Sequence, residues 1–409
     1  MMTAAETILS KYKDIEKWQT QLYKHFHRHP ELSLKEFKTA ERIEEELKNM
    51  GLESQRIGET GVVAVLKNGA GKTILVRADI DALPVEESTG LDYASEEKGV
   101  MHACAHDGHI ASLLGAVKLL NENKDEWSGT YIALFQPAEE LAAGSQKMVD
   151  DGLVGKVPQP DLAFAQHIMV GEAGTISTVD GPILSAGDSL KITLYGRGAH
   201  GSMPQNSVDT VVLASTIVMR LQTIVSREIE PGTFAVVTVG AINSGSKSNI
   251  IPDSAELLLN LRTCSNEVRE QVKRAIERIV KSECEAAGSP KEPEFEYYDQ
   301  FPLTENDSEI NKKFTEAFID YFGKNRVFKG KPATASEDFS TIPKAFGVPY
   351  DYWFVHGTDS KKWEKAVING SVAQDIPANH NPGFYPELQP TLKTATGAQV
   401  VTALTYLGK

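Results

Sequence analysis

The sequence has little cysteine: its 409 residues hold three, Cys104, Cys264 and Cys284. An odd, low count in so long a chain does not describe a disulfide framework, and a reducing cytoplasm is the expected location. Long apolar runs are missing too. Stretches such as Val211 to Ala214 fall far short of the roughly 18 residues a membrane span needs, so no membrane partner is expected. The start, Met1-Met2-Thr3-Ala4-Ala5-Glu6, has no basic region followed by an apolar core and does not read as a secretory signal. Positive charge is scarce: 42 Lys and Arg face 56 Asp and Glu, a formal net charge of −14. Such a chain repels phosphate backbones, so nucleic acid is not expected as a partner, while a small anion held by local cations stays open. No repeat or low-complexity segment interrupts it. Hydrophobic residues at 41% and charged residues at 24% describe a globular chain rather than a disordered or collagen-like one. The length allows about two to three domains.

What is present has an α/β rhythm. Apolar residues at three- and four-residue steps (Ile8, Tyr12, Ile15, Trp18, Leu22) predict a helix around Glu6 to Phe26, and a second runs from about Leu34 to Met50, before Gly51. Val62 to Leu66 and Thr73 to Ala78 read as strands joined by the turn Asn68-Gly69-Ala70-Gly71. A helix from Gly108 to Asn121, a strand from Thr130 to Gln136, a helix from Gly144 to Asp150 and a strand from Asp161 to His167 follow. Strands alternating with helices imply a mostly parallel central sheet with flanking helices. The pattern changes near Ala186. Strands at Asp188–Tyr195, Phe234–Ile242 and Ala255–Arg262, with helices at Val208–Arg227 and Glu267–Ala287, predict an inserted α+β module: a four-stranded-type antiparallel sheet carrying two helices. The expected division is 1–186 and 298–409 for the first domain, split by a module at 187–297. The chain is expected to end in an amphipathic helix, Thr391 to Leu407.

The ten histidines are unevenly spread, and His102, His106 and His109 surround Cys104. The reactive groups follow predicted strands. Asp79 and Asp81 follow Thr73–Ala78, Glu139 and Glu140 follow Thr130–Gln136, and His167 closes Asp161–His167. Ligands of open α/β sheets bind beyond the carboxyl ends of strands, so these groups converge if their strands are neighbours. Thiolate, imidazole and carboxylate together suit zinc, and also Ni, Co or Mn. Against this stands the bland reading of a buried cysteine as a small apolar residue. Glu139 and Glu140 are adjacent and point in different directions, so one can ligate a metal while the other accepts a proton from water.

Met101-His102-Ala103-Cys104-Ala105-His106-Asp107-Gly108-His109 resembles the signature of dinuclear-metal amidohydrolases: bacterial aminoacylases, hippurate hydrolases and plant auxin-conjugate hydrolases. The resemblance covers nearly the whole chain. It runs through His29-Pro30-Glu31-Leu32-Ser33, Arg77 to Pro84, Gln136 to Glu140, Gly196 to Ser202, Asn249 to Asp253, Ser336-Glu337-Asp338-Phe339 and His380 to Phe384. It implies a zinc-exopeptidase-like catalytic domain with two divalent ions (Zn, Mn, Ni or Co) held by Cys104, His106, Glu140, His167 and His380. Glu139 then matches the general base, Asp81 an acid behind the ligands, and His200 a histidine that polarises the substrate carbonyl, often supplied by a partner subunit. Asn249 and Arg262 match groups holding a substrate carboxylate. The implied substrate is an N-acyl amino acid, and the implied assembly a homodimer through the inserted module, or a higher oligomer. A metallo-dipeptidase or carboxypeptidase is the enzymatic alternative, although no site for a free α-amino group is identifiable. A catalytically weak acyl-amino-acid-binding homologue is the other alternative. One departure stands out: the family has glycine where this chain has Ala105. If that glycine needs a positive φ, alanine costs about 1 kcal/mol there.

Other motifs are set aside. Gly196-Arg197-Gly198-Ala199-His200-Gly201 fits GxGxxG, but Pro204 and Asn206 delay the helix that a dinucleotide site requires. Gly69 to Thr73 imitates the end of a phosphate loop yet precedes a strand. His25, His27 and His29 read as structural, His102 and His109 as helix-start or supporting residues, His356 as unrelated to metal, and Cys264 and Cys284 as packing residues.

Overall fold

A computed structural model describes residues 2–409. The chain forms two compact units. The first comprises the chain up to Ile183, with Glu305–Lys331 and Asp338–Lys409; the second comprises Leu184–Thr304 and Pro332–Glu337. The expected borders at 186/187 and 297/298 differ from these. The strand Glu294–Phe301 stays with the second unit because it pairs with Ala186–Tyr195, and 332–337 joins from the C-terminal third.

The first unit is built on an eight-stranded mixed sheet. Its order is Ser54–Ile57, Gly61–Asn68, Gly129–Gln136, Thr73–Asp79, Leu162–Glu172, Tyr350–Thr358, Ile176–Thr178, Val327–Lys329. The four central strands run parallel. Gly61–Asn68 and Thr73–Asp79, joined by the short turn, are not neighbours: Gly129–Gln136 lies between them, antiparallel to one and parallel to the other. Ile74, Val76 and Ala78 share one core with Tyr131, Ala133 and Phe135 and with the helices His106–Glu122 and Leu388–Leu407. Both helices are buried almost all round, so the C-terminal helix is not amphipathic as expected; it is a core helix whose small residues, Thr394 to Ala398, meet other helices. The predicted first helix is two, Ala4–Ser10 and Tyr12–Arg28, separated at Lys11, and the second starts only at Phe37 because Leu34 takes a left-handed φ of 65°.

The second unit holds a four-stranded antiparallel sheet in the order Ala235–Asn243, Ser254–Thr263, Ala186–Tyr195, Glu294–Phe301. Leu190, Ile192 and Leu194 alternate along one strand and meet Leu213, Ile217 and Ile276 from the helices Thr210–Thr223 and Asn266–Ala287. Asp209 and Ser265 cap these helices by accepting backbone N–H bonds. The glycine-rich turn at 196–201 leads into the two-residue strand Ala199–His200 rather than into a helix. Among the described residues no helix is long and apolar enough to cross a membrane, and all three cysteines are free thiols.

Candidate functional site

The carboxyl ends of three adjacent parallel strands supply the first unit's reactive groups. Thr73–Asp79 leads to Asp81, Gly129–Gln136 leads into the turn of Glu139 and Glu140, and Leu162–Glu172 carries His167. His167 does not close its strand, which continues to Glu172. Pairing with Thr73–Asp79 stops at Arg77 opposite Ala165, however, so His167 projects just beyond its neighbour's ladder, level with Asp79. The turn at Glu139 is tight: Ala138 has φ 47°, and a Cβ on Gly144 would lie 1.5 Å from the Pro137 carbonyl oxygen, so only glycine fits there. Ala105, at the start of the His106–Glu122 helix, has φ 63°, the left-handed geometry that glycine favours.

Hydrogen bonds fix how the imidazoles face. His106 uses Nδ1 on the Asp81 carbonyl at 2.9 Å and on Oδ1 at 3.2 Å, which leaves the Nε2 lone pair outward. His167 uses Nδ1 on the Ile168 carbonyl at 2.9 Å, and its Nε2 lies 3.4 Å from the Cys104 sulfur. His380 places Nε2 3.3 Å from Glu140 Oε1. Around His106 Nε2 stand Asp79 Oδ2 at 3.6 Å, Glu140 Oε1 at 3.9 Å and Glu139 Oε2 at 4.0 Å. Among the described residues His106 Nε2 is buried without a hydrogen-bond partner, and buried Glu140 Oε1 has the His380 ring beside it but no well-aligned hydrogen bond. Ligand atoms of Cys104, His106 and Glu140 all lie within 4.8 Å of one another.

These residues fit a cation. Two ligands about 2.1 Å from one ion at a tetrahedral angle are about 3.4 Å apart, and the contacts run from 3.3 to 4.0 Å. Orphaned acceptor atoms aimed at one another are costly unless a positive charge sits among them. The surrounding field points the same way. Burial opposes charge on His106, but Asp79 and Asp81 outweigh it and push the ring well above its usual value, so the acids draw positive charge to Nε2, where a metal ion would compete with a proton. Burial, with His109 beside it, holds His167 well below the imidazole value and keeps it neutral, as a ligand must be. Burial and Glu140 push the Cys104 thiol up, so a thiolate there requires a neighbouring cation.

The structure therefore brings together Cys104, His106, Glu140, His167 and His380, with Glu139 beside them and Asp81 behind. It also gives partners to residues behind the cluster, among them His109, which the sequence offered as a supporting or helix-start residue. His109 donates Nδ1–H to Asp79 at 2.5 Å and accepts the Ile168 N–H on Nε2 at 2.8 Å, so both its nitrogens are engaged and neither is left for a metal. Asp79 also accepts from Arg77 at 2.7 Å, and Arg77 donates to Gln136 at 2.9 Å. Gln136 in turn donates to Asp338 at 2.6 Å. Burial acts to raise Asp79, but His106, Arg77 and His109 outweigh it and hold it well below the carboxylate range. A signal was present: an arginine inside the apolar run Ile74-Leu75-Val76-Arg77-Ala78 must find a buried partner. His27 pairs with Asp107 at 2.6 Å and Glu87 at 3.2 Å, a structural role. His102 is buried, unpartnered among the described residues and lowered to about 4 by burial. His356 is buried against Thr175 and stacked on Phe328.

His200, Asn249 and Arg262 belong to the second unit. His200 pairs with Ile250, and the Gly201 N–H donates to the Asn249 carbonyl at 2.8 Å, so His200 and Asn249 are neighbours. Arg262 is not with them. It lies near the opposite end of the strand Ser254–Thr263, where it donates to Asn260 at 3.0 Å and to Ser336. From Ser254 to Arg262 the strand advances about 27 Å at roughly 3.4 Å per residue.

Residues 75–369 match the profile described as Peptidase family M20/M25/M40. The chain is 40% identical over 335 residues to N-acetyl-L-cysteine deacetylase of Bacillus subtilis, covering 80% of this chain and 77% of that one. It is 37% identical over 368 residues to thermostable carboxypeptidase 2 of Saccharolobus solfataricus, covering 88% and 91%. Its structure resembles that of the Bacillus subtilis YXEP protein, a dinuclear metal binding peptidase from the M20 family, with a TM-score of 0.78, 28% identity and 96% and 98% coverage.

Proposed function

The chain belongs to peptidase family M20/M25/M40, as an amidohydrolase acting on amide bonds, and within that family we propose that it cleaves N-acyl-L-amino acids into a carboxylic acid and a free amino acid. Cys104, His106, Glu140, His167 and His380 would hold two divalent ions. When bound, such a pair acidifies water and polarises an amide carbonyl. Glu139 takes the proton of the attacking water and delivers it to the leaving nitrogen. Asp81 locks the His106 ring with Nε2 outward. His200 donates a hydrogen bond to the oxygen that becomes negative as the carbonyl is attacked. Asn249 and Arg262 offer polar contacts to the substrate carboxylate.

One observation carries this reading: two imidazoles locked with their Nε2 lone pairs toward the thiol and carboxylates, beside a buried second carboxylate, Glu139. Glu139→Gln is expected to keep its metal and lose hydrolysis by about 10²–10⁴-fold. Metal analysis with single-turnover assays checks this, and retained turnover would remove Glu139 from the role.

The similarity to a carboxypeptidase supports a second reading, in which the acyl group is a peptide. N-acetyl, N-benzoyl and longer acyl amino acids assayed beside N-blocked and free dipeptides separate the two. A binding protein without turnover is separated by metal content, near zero per chain rather than near two.

We also infer a homodimer through the second unit. Its strand Ala235–Asn243 is a sheet edge, with Val236 and Ile242 exposed, and the helix Thr210–Thr223 exposes Val212 and Met219. An unpaired edge beside exposed apolar side chains suits a second copy related by a two-fold axis. About 27 Å of strand also keeps Arg262 from meeting the same small substrate as His200 and Asn249 within one chain. A partner that exchanges His200 and Asn249 resolves this.

A further inference from the structure

The segment Glu31-Leu32-Ser33-Leu34-Lys35-Glu36 contributes no metal ligand, yet it touches two of the turns that bear the site. The Glu31 carbonyl accepts the Ala82 N–H at 2.8 Å, and Leu32 forms a parallel bridge with Ala82. The Ser33 hydroxyl donates to Asp81 Oδ2 at 2.6 Å. Asp81 Oδ2 also accepts the Glu140 N–H at 3.1 Å, while Asp81 Oδ1 and its carbonyl face His106 Nδ1. Glu36 is buried and holds the other turn: its Oε1 accepts the Ala138 N–H at 2.9 Å, next to Glu139.

Local geometry makes this double reach available. Leu34 adopts φ 65°, uncommon for a branched aliphatic residue, and its N–H donates to the same Glu36 Oε1 at 2.9 Å. Glu36 Oε2 accepts the Thr60 hydroxyl at 2.8 Å, and Glu31 Oε2 accepts the Thr39 N–H at 2.8 Å in the first turn of the helix Phe37–Asn49. The segment is therefore anchored at both ends before it meets the site.

We propose that Glu31–Glu36 is a brace, and that Ser33 and Glu36 are positioning residues: Ser33 aims Asp81 at His106 and Glu140, and Glu36 pins the left-handed Ala138 so that Glu139 and Glu140 diverge correctly. The proposal rests on the reading of those two glutamates as the working carboxylates. Groups behind metal ligands are typically worth about 10–100-fold in metal affinity or activity, because an aimed ligand loses less freedom on binding.

The test uses purified full-length Ser33→Ala, Glu36→Ala and Glu36→Gln. Zn²⁺ affinity is measured by competition with a chromophoric chelator, together with kcat, KM and thermal unfolding. Ser33→Ala and Glu36→Ala are expected to weaken Zn²⁺ binding and lower kcat by about 10-fold or more, with KM little changed. Glu36→Gln keeps an acceptor for the two amides and a donor toward Thr60, so it should recover most of both. A merely structural glutamate would lower the unfolding temperature on substitution while leaving Zn²⁺ affinity and kcat of the folded protein unmoved. Unchanged Zn²⁺ affinity and kcat in both alanine variants, or Glu36→Gln as damaged as Glu36→Ala, would overturn the brace. Should Glu36→Ala fail to fold, Ser33→Ala, which removes one hydroxyl from a half-buried residue, carries the decision. A wild-type protein that binds Zn²⁺ but hydrolyses no N-acyl amino acid defeats the proposed function, while the Zn²⁺ affinities still decide the brace.

Discussion

Four residues at the cluster hold a backbone that glycine adopts more readily: Ala105 at φ 63°, Ala138 at 47°, Ala142 at 52° and His380 at 70°. Strain of this kind persists where the surroundings over-determine the chain, and it gathers at functional sites. Ala105 is the instructive case, because the sequence resemblance marks it as a glycine position. Replacing it by glycine relieves about 1–2 kcal/mol of left-handed strain. The same change removes a fully buried methyl worth about 0.8 kcal/mol and adds about 0.4–1 kcal/mol of unfolded-chain entropy. The terms nearly cancel. Ala105→Gly should therefore unfold within about 3 °C of the parent and keep its Zn²⁺ affinity. Calorimetry checks this, and a fall well beyond that range would mean that the methyl's packing outweighs the strain. The alanine is thus a tolerated departure, since it removes no ligand and its methyl is accommodated in the core.

At the scale of elements, the chain order of strands and helices was readable from periodicity, and so was the gathering of acids and histidines after three strands. Sheet order was not. Nothing local says that Gly129–Gln136 enters between two strands joined by a tight turn, because pairing is a long-range choice. For the same reason the partners of Arg77 and His109 stayed hidden: Gln136, Asp338 and Ile168 come from distant segments. The C-terminal helix misled because buried threonines read as a polar face. The strand Tyr350–Thr358 holds a similar concealed group. Asp351 is fully buried in it, accepts from Asn311 at 3.3 Å, and has Oδ2 unpartnered among the described residues. Burial raises its carboxyl well above the ordinary value. A folded value above the unfolded one gives stability that is full below about pH 4 and is lost as pH rises toward the folded value, by at most about 1.4 kcal/mol per pH unit. Asp351→Asn removes that loss while keeping an acceptor for Asn311. Its unfolding temperature should match the parent's near pH 4 and exceed it increasingly toward pH 7–8. Parallel pH profiles of thermal unfolding decide, and coincident profiles would mean that Asp351 is ionised in the fold.

The whole molecule sets a condition that neither residue nor element reveals. Its charge of −14 offers no broad attraction for the carboxylate of the proposed acyl-amino-acid substrate, so recognition there falls to local groups. In the proposed dimer each site draws Glu139 from one protomer and His200 from the other, which makes the two residues separable by mixing. Glu139→Gln and His200→Ala homodimers should each be nearly inactive. After equal mixing and subunit exchange, half of the dimers are mixed, and in each of these one site carries both substitutions while the other carries neither. About one quarter of wild-type activity should then return, with KM near the wild-type value because the restored sites are intact. If His200 instead serves its own protomer, every site in the mixed dimer keeps one lesion and no activity returns. Exchange itself is verified by the mass of differently tagged protomers, so a failure to mix is not mistaken for a failure to complement. Substituting lysine for Ile242 on the exposed strand edge supplies the control: a monomer should form, and complementation should vanish with it.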